Sequence, residues 1–81
     1  MKLVKYSATW CGPCKQFAPI AKKVTSDLGI ELVEVDVDEN PTEGIMSVPT
    51  VRLVNDAGVV VAEHSGLLAP LALKKWILGN S

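Results

Sequence analysis

From Leu3 to Ala8 the chain alternates, with Val4, Tyr6 and Ala8 on one side and Leu3, Lys5 and Ser7 on the other. That two-residue period predicts a half-buried strand. Past the cysteines the period lengthens: Phe17, Ile20, Ala21, Val24 and Leu28 recur at helical spacing, and Gly29 stands where a helix stops. Pro19 lies inside this stretch and should bend it. In "IELVEVDVD" alternation returns, with Val33, Val35 and Val37 on one face and Leu32, Glu34, Asp36 and Asp38 on the other. Strand, helix and strand in this order predict parallel strands joined by a right-handed connection.

The next stretch, "NPTEGIMSVPT", resembles a helix start, with Asn40 as N-cap, Pro41 at the first helical position and Glu43 completing a capping box. Gly44 comes so soon that only about one turn is expected. Thr50 to Asn55 and Val59 to His64 read as two further strands, and the short Asp56-Ala57-Gly58 link makes them an antiparallel hairpin. A last helix starts at Pro70, with Leu73, Trp76 and Ile77 on one face and Gly79 at its end.

Composition narrows the classes. A chain of 81 residues with 48% hydrophobic content makes one domain over residues 1–81 with a modest core. A net charge of −1, with basic and acidic residues scattered, gives no footprint for nucleic acid. The opening Met1-Lys2-Leu3-Val4-Lys5 lacks the apolar core of a signal peptide, and no apolar run reaches membrane-span length. The expected location is the cytoplasm, with no membrane partner. There, a cysteine pair serves redox chemistry or metal binding more often than it staples a fold.

The only two cysteines lie in "YSATWCGPCKQF". Residues i and i+3 of a helix sit about 5–6 Å apart, inside the ~4.4–6.8 Å Cα separation a disulfide needs. Cys11 and Cys14 could therefore close and reopen a bridge with little backbone motion. Cys11, at the exposed helix start, should ionise readily beside unpaired N–H groups, and Pro13 stiffens the first turn. A zinc site competes poorly, because His64 is the only other plausible soft ligand and a structural site takes four. Asp36, Asp38 and Glu39 lack calcium-loop spacing and read as a solvated strand end.

These residues resemble the thioredoxin family. W-C-G-P-C-K followed by Ala18-Pro19-Ile20 looks like its active site, Val48-Pro49-Thr50 matches its cis-proline loop, and Gly66 matches the glycine that lets a substrate chain approach. The resemblance runs from about Leu3 to Gly79. It implies an α/β, minimal thioredoxin fold, βαβ-ββα with a short helical turn, and a four-stranded mixed sheet in the order 2-1-3-4. The family's usual N-terminal strand and helix have no counterpart among these residues, and the outline also resembles a glutaredoxin.

By this resemblance the protein is a protein-disulfide reductase. Cys11 attacks a substrate disulfide, Cys14 resolves the mixed disulfide, and Trp10, Gly12, Pro13, Val48, Pro49, Thr50 and Gly66 line the substrate groove. No bound cofactor or metal is implied. Electrons come from an NADPH-dependent thioredoxin reductase or, alternatively, from glutathione. Gly-Pro between the cysteines favours the former, and Ser65-Gly66-Leu67-Leu68 lacks the Gly-Asp pattern that commonly holds glutathione. Partners are disulfide-containing proteins, ribonucleotide reductase being one candidate, and the protein should be a monomer. A non-catalytic thioredoxin-fold interaction subunit is a further alternative.

Three positions depart from the family pattern. Lys5 replaces a buried Asp six residues before the first cysteine, with Glu34 at the partner position, and Ser7 replaces a tryptophan. The preferred reading is a two-layer domain in which Lys5, Glu34 and Arg52 share a largely uncovered face while the valines, Leu53 and Tyr6 face the two longer helices. Lys5 and Glu34 would then form a partly exposed cross-strand pair. The alternative puts Lys5 beneath Cys14, where it would tune the thiol.

Overall fold

The computed structural model describes residues Met1–Ser81. Its elements run β1 (Lys2–Ser7), α1 (Gly12–Leu28), β2 (Glu31–Asp36), β3 (Thr50–Val54), β4 (Val60–Ser65) and α2 (Pro70–Asn80). The strands form one sheet in the order β2-β1-β3-β4. β1 runs parallel to β2 and antiparallel to β3, and β3 and β4 form the hairpin. β1 and β3 are central and buried on both faces, whereas β2 and β4 are edges and their burial is partial.

Both helices cover one face. Phe17 and Val24 of α1 and Leu73 and Ile77 of α2 close over Leu3, Val51 and Leu53 to form the main core. The helical period of α1 therefore has its physical cause in one apolar stripe meeting the sheet. Its C-terminus is closed by Gly29 at φ 69°, whose N–H reaches Ser26 O while the Ile30 N–H reaches Thr25 O. This double bond pattern needs a left-handed residue. Gly29→Ala should accordingly lower stability by about 1–2 kcal/mol, read as a lower urea midpoint with an unchanged slope.

The expected assignment of sheet faces is reversed. Leu3 pairs with Leu53 and Lys5 with Val51, so Lys5 lies in the row that faces the helices. Leu53 does face them, but Val4 and Tyr6 lie on the opposite side with Val54, where Val33, Val35, Val37 and Ile45 pack. Arg52 is on that second side too, opposite Val4, and not beside Lys5. It donates to Glu63 at 2.6 Å and lies 5.3 Å from the centre of the Tyr6 ring. The hydrogen bond to Glu63 holds the guanidinium above its ordinary pKa, and it stays charged. The larger Leu3, Leu32 and Leu53 reach the helix layer, while the flatter valine face is closed only by the loop before β3.

The segment from Asn40 to Gly44 forms a turn instead of a capped helix. The Ile45 N–H reaches Thr42 O at 3.3 Å, Gly44 takes φ 84°, and the Thr42 hydroxyl donates to Asn40 O. The left-handed glycine ends the turn before a capping box can close. Around the hairpin, Asn55 Oδ1 accepts from the N–H groups of Ala57 and Val59, and Gly58 takes φ 81°. At the other end, α2 continues through Gly79 to Asn80, whose side-chain amide donates to Trp76 O.

Candidate active site

Cys11 is the N-cap of α1. Its backbone is extended (φ −87°, ψ 109°), and its sulfur accepts the Cys14 N–H at 3.2 Å. An N-cap is ordinarily an oxygen-bearing side chain, and a sulfur in that place is set among amide donors suited to negative charge. Gly12 and Pro13 complete the exposed first turn, and Cys14 follows one turn in. The Cys11 and Cys14 Cα atoms are 5.3 Å apart and the two sulfurs are joined as a disulfide. In this oxidised form Cys11 is only 4% exposed and Cys14 3%. The expected open exposure of Cys11 is thus not found, because Val48 and Val37 pack against the Ala8, Cys11 and Cys14 cluster.

Trp10, by contrast, stands 69% exposed. Its indole N–H donates to Asp38 Oδ2 at 2.9 Å, and Asp36 in turn accepts the Asp38 N–H. Asp38, read from sequence as a solvated carboxylate, therefore orients the ring beside Cys11. A separation of twenty-eight positions along the chain hid this bond in the sequence. Trp10, Val37, Ile45, Met46, Ser47 and Val48 border a mostly apolar groove of about 130 Å³.

The Val48–Pro49 peptide bond is cis. Pro49 O accepts the Gly66 N–H at 2.8 Å, which joins the loop before β3 to the end of β4. Gly66 has φ 102°, and a Cβ there would meet open space, so the backbone conformation is what calls for glycine. Thr50 is 2% exposed; its hydroxyl donates to Ser47 O and lies 3.1 Å from Ser65 Oγ. Thr50 is tied to the groove only through Ser47 and is too buried to offer surface to a ligand, contrary to its expected place in the lining.

Lys5 is not a surface residue. Its side chain is 4% exposed, and its Nζ lies 3.2 Å from Oε1 of Glu34, whose side chain is 46% exposed. The cross-strand pairing is as expected, but the pair sits on the helix side, because the aliphatic stem of a lysine can fill a buried row. Lys5, Glu34 and Cys14 border one cavity of about 250 Å³, together with Ser7, Asp36 and residues of α1. No group of three or more His, Cys, Asp or Glu side chains is placed to hold a metal ion.

Comparison with known proteins agrees with this geometry. Residues 1–78 match the family model described as Thioredoxin. The thioredoxin of Bacillus subtilis is 39% identical over 81 residues, an alignment covering 93% of this chain and 77% of that one. That of Listeria monocytogenes is 41% identical over 64 residues, 72% of this chain, and the match spans only 62% of the relative's length. Among solved structures, a mutant thioredoxin from Halobacterium salinarum superposes with a TM-score of 0.88 at 34% identity, covering 98% of this chain and 73% of its own. With a redox-type cysteine pair at a helix start, the sheet order of the fold and a family match over nearly its whole length, the chain belongs to the thioredoxin family.

Proposed function

We propose that the chain is a thiol–disulfide oxidoreductase that reduces protein disulfides and is recharged by an NADPH-dependent thioredoxin reductase. The observation that carries this reading is the Cys11–Cys14 bridge at the N-terminus of α1. In the reduced protein the Cys11 thiolate attacks one sulfur of a substrate disulfide, forming a mixed disulfide and releasing the other sulfur as a thiolate. Cys14 then loses its proton and attacks Cys11 Sγ. The bridge re-forms and the second substrate thiol leaves. Cys14 stands one turn from Cys11 on the same helix, so this second attack is intramolecular and fast.

Substrate recognition falls to the surface around the bridge. Trp10, Gly12, Pro13 and the groove wall at Val48 offer apolar contact, while the Val48 backbone beside Pro49 can pair with an extended substrate segment, with Gly66 flanking it. Ribonucleotide reductase is one candidate among the disulfide-bearing substrates. A monomer in the cytoplasm suits this role.

The protein should catalyse insulin reduction by dithiothreitol and should accept electrons from NADPH through a thioredoxin reductase faster than from glutathione. Both donors are to be run side by side with the same insulin readout. Efficient turnover with glutathione and none with a reductase would make it glutaredoxin-like. No turnover with any donor would leave the fold as an interaction subunit.

A further inference from the structure

Lys5 is a buried charge to which the exchange chemistry above assigns no part. Its ammonium is shut in between the sheet and α1, while its one carboxylate partner, Glu34, is nearly half exposed. A charge in contact with water is screened far more than one held in the interior, so the two charges do not cancel at a neighbouring buried group. The neighbour is Cys14, on the wall of the same cavity. The other charged groups facing that space are Asp36 from β2 and Lys15 and Lys22 from α1, with Ser7, Ala8, Thr9 and Ala18 completing it.

We propose that Lys5 is a positioning residue acting on Cys14, its ammonium stabilising the resolving thiolate while Glu34 damps that effect. The inference rests on the proposed role of Cys14 as resolving thiol. In that step the Cys14 thiol gives its proton to solvent in the cavity it borders. The sulfur's electron pair attacks Cys11 Sγ, the Cys11–Cys14 bond forms, and the bond between Cys11 and the substrate sulfur breaks. The substrate leaves as a thiolate and takes up a proton from water. Lys5 neither gives nor receives a proton; it sets how much Cys14 is ready to react.

A buried ion pair that merely holds β1 to β2 would behave differently, and the two partners can be separated by sign. In a reduced Cys11→Ser protein Cys14 is the only thiol, and its thiolate can be followed by ultraviolet absorbance as pH is raised. Lys5→Met should move that titration to higher pH, with about tenfold less thiolate at a given pH on its lower limb. Glu34→Gln should move it to lower pH, and the double variant should return toward the parent.

Loss of packing cannot produce opposite shifts from two members of one pair. Shifts in the same direction, or none, would overturn the proposal. If Lys5→Met fails to fold by circular dichroism, Glu34→Gln decides alone, since its half-exposed side chain can be replaced in place: an unmoved curve refutes the inference. The titration requires no turnover. Intact insulin reduction with unmoved curves therefore faults this inference only, whereas moved curves without insulin reduction fault the proposed function only.

Discussion

Cys11→Ser is expected to reduce insulin turnover to the rate of dithiothreitol alone. A serine hydroxyl can neither attack a disulfide sulfur at neutral pH nor form the mixed disulfide, so the loss is of the whole catalysed path and not of a fraction of it. Cys14→Ser should stop turnover as well, but at a later stage. Cys11 then still attacks, and the mixed disulfide persists because no thiol one turn away can displace the substrate. Mass spectrometry of the Cys14→Ser protein after exposure to oxidised insulin should find one substrate chain attached at Cys11. Trapping by Cys11→Ser through Cys14 instead would reverse the assigned roles. The asymmetry originates in backbone geometry: the Cys11 sulfur accepts the Cys14 N–H, whereas Cys14 lies inside the helix.

Phe17→Ala should produce the largest loss of stability, about 3–5 kcal/mol, by removing an aromatic ring from the centre of the core. Phe17 is fully buried and joins α1 to Leu3, Val51 and Leu53 of the sheet and to the α2 residues Leu73 and Ile77. Small domains have about 5–15 kcal/mol in total, so such a variant would stand near the edge of folding. Urea unfolding followed by far-ultraviolet circular dichroism measures it, with Leu71→Ala on the exposed side of α2 as the control, expected within about 0.5 kcal/mol of the parent. A small effect at Phe17 would mean that the helix layer is held elsewhere. Because Phe17 follows Cys14 by three residues on the same helix, heat should abolish redox activity in this variant well before it does so in the parent.

The sequence was legible wherever one local force decides the outcome. The switch from a period of two to a helical period at the cysteines fixes α1 through the side chains it must bury, while the stop at Gly29 and the tight link at Asp56-Ala57-Gly58 act through backbone preference. The two cysteines announced themselves by spacing. What alternation could not decide was which side of a central strand meets the helices. β1 is buried on both faces, and Leu3-Lys5-Ser7 looks polar only until the lysine's long stem is allowed into the interior.

The contacts missed at the site were those made by folding alone. Trp10 meets Asp38 because β1 and β2 lie side by side in the sheet, and Cys11 loses its exposure to Val48, which arrives from the loop before β3. The capping box at Asn40 failed for the opposite reason. A good local signal was overridden within its own segment by a left-handed glycine and a turn hydrogen bond.

The ties among Ser47, Pro49, Thr50, Ser65 and Gly66 bear on how tightly a partner can be held. One hydrogen bond, from the Gly66 N–H to Pro49 O, and the Thr50–Ser65 hydroxyl pair fasten the loop before β3 to the end of the hairpin, and the Thr50 hydroxyl braces the loop itself through Ser47 O. A flexible loop would have to surrender its conformational freedom each time a substrate docked, and that loss would weaken every encounter. Here the ordering is completed when the chain folds. An incoming segment meets edges already in position, and its affinity reflects the contacts it makes more than the disorder it must remove.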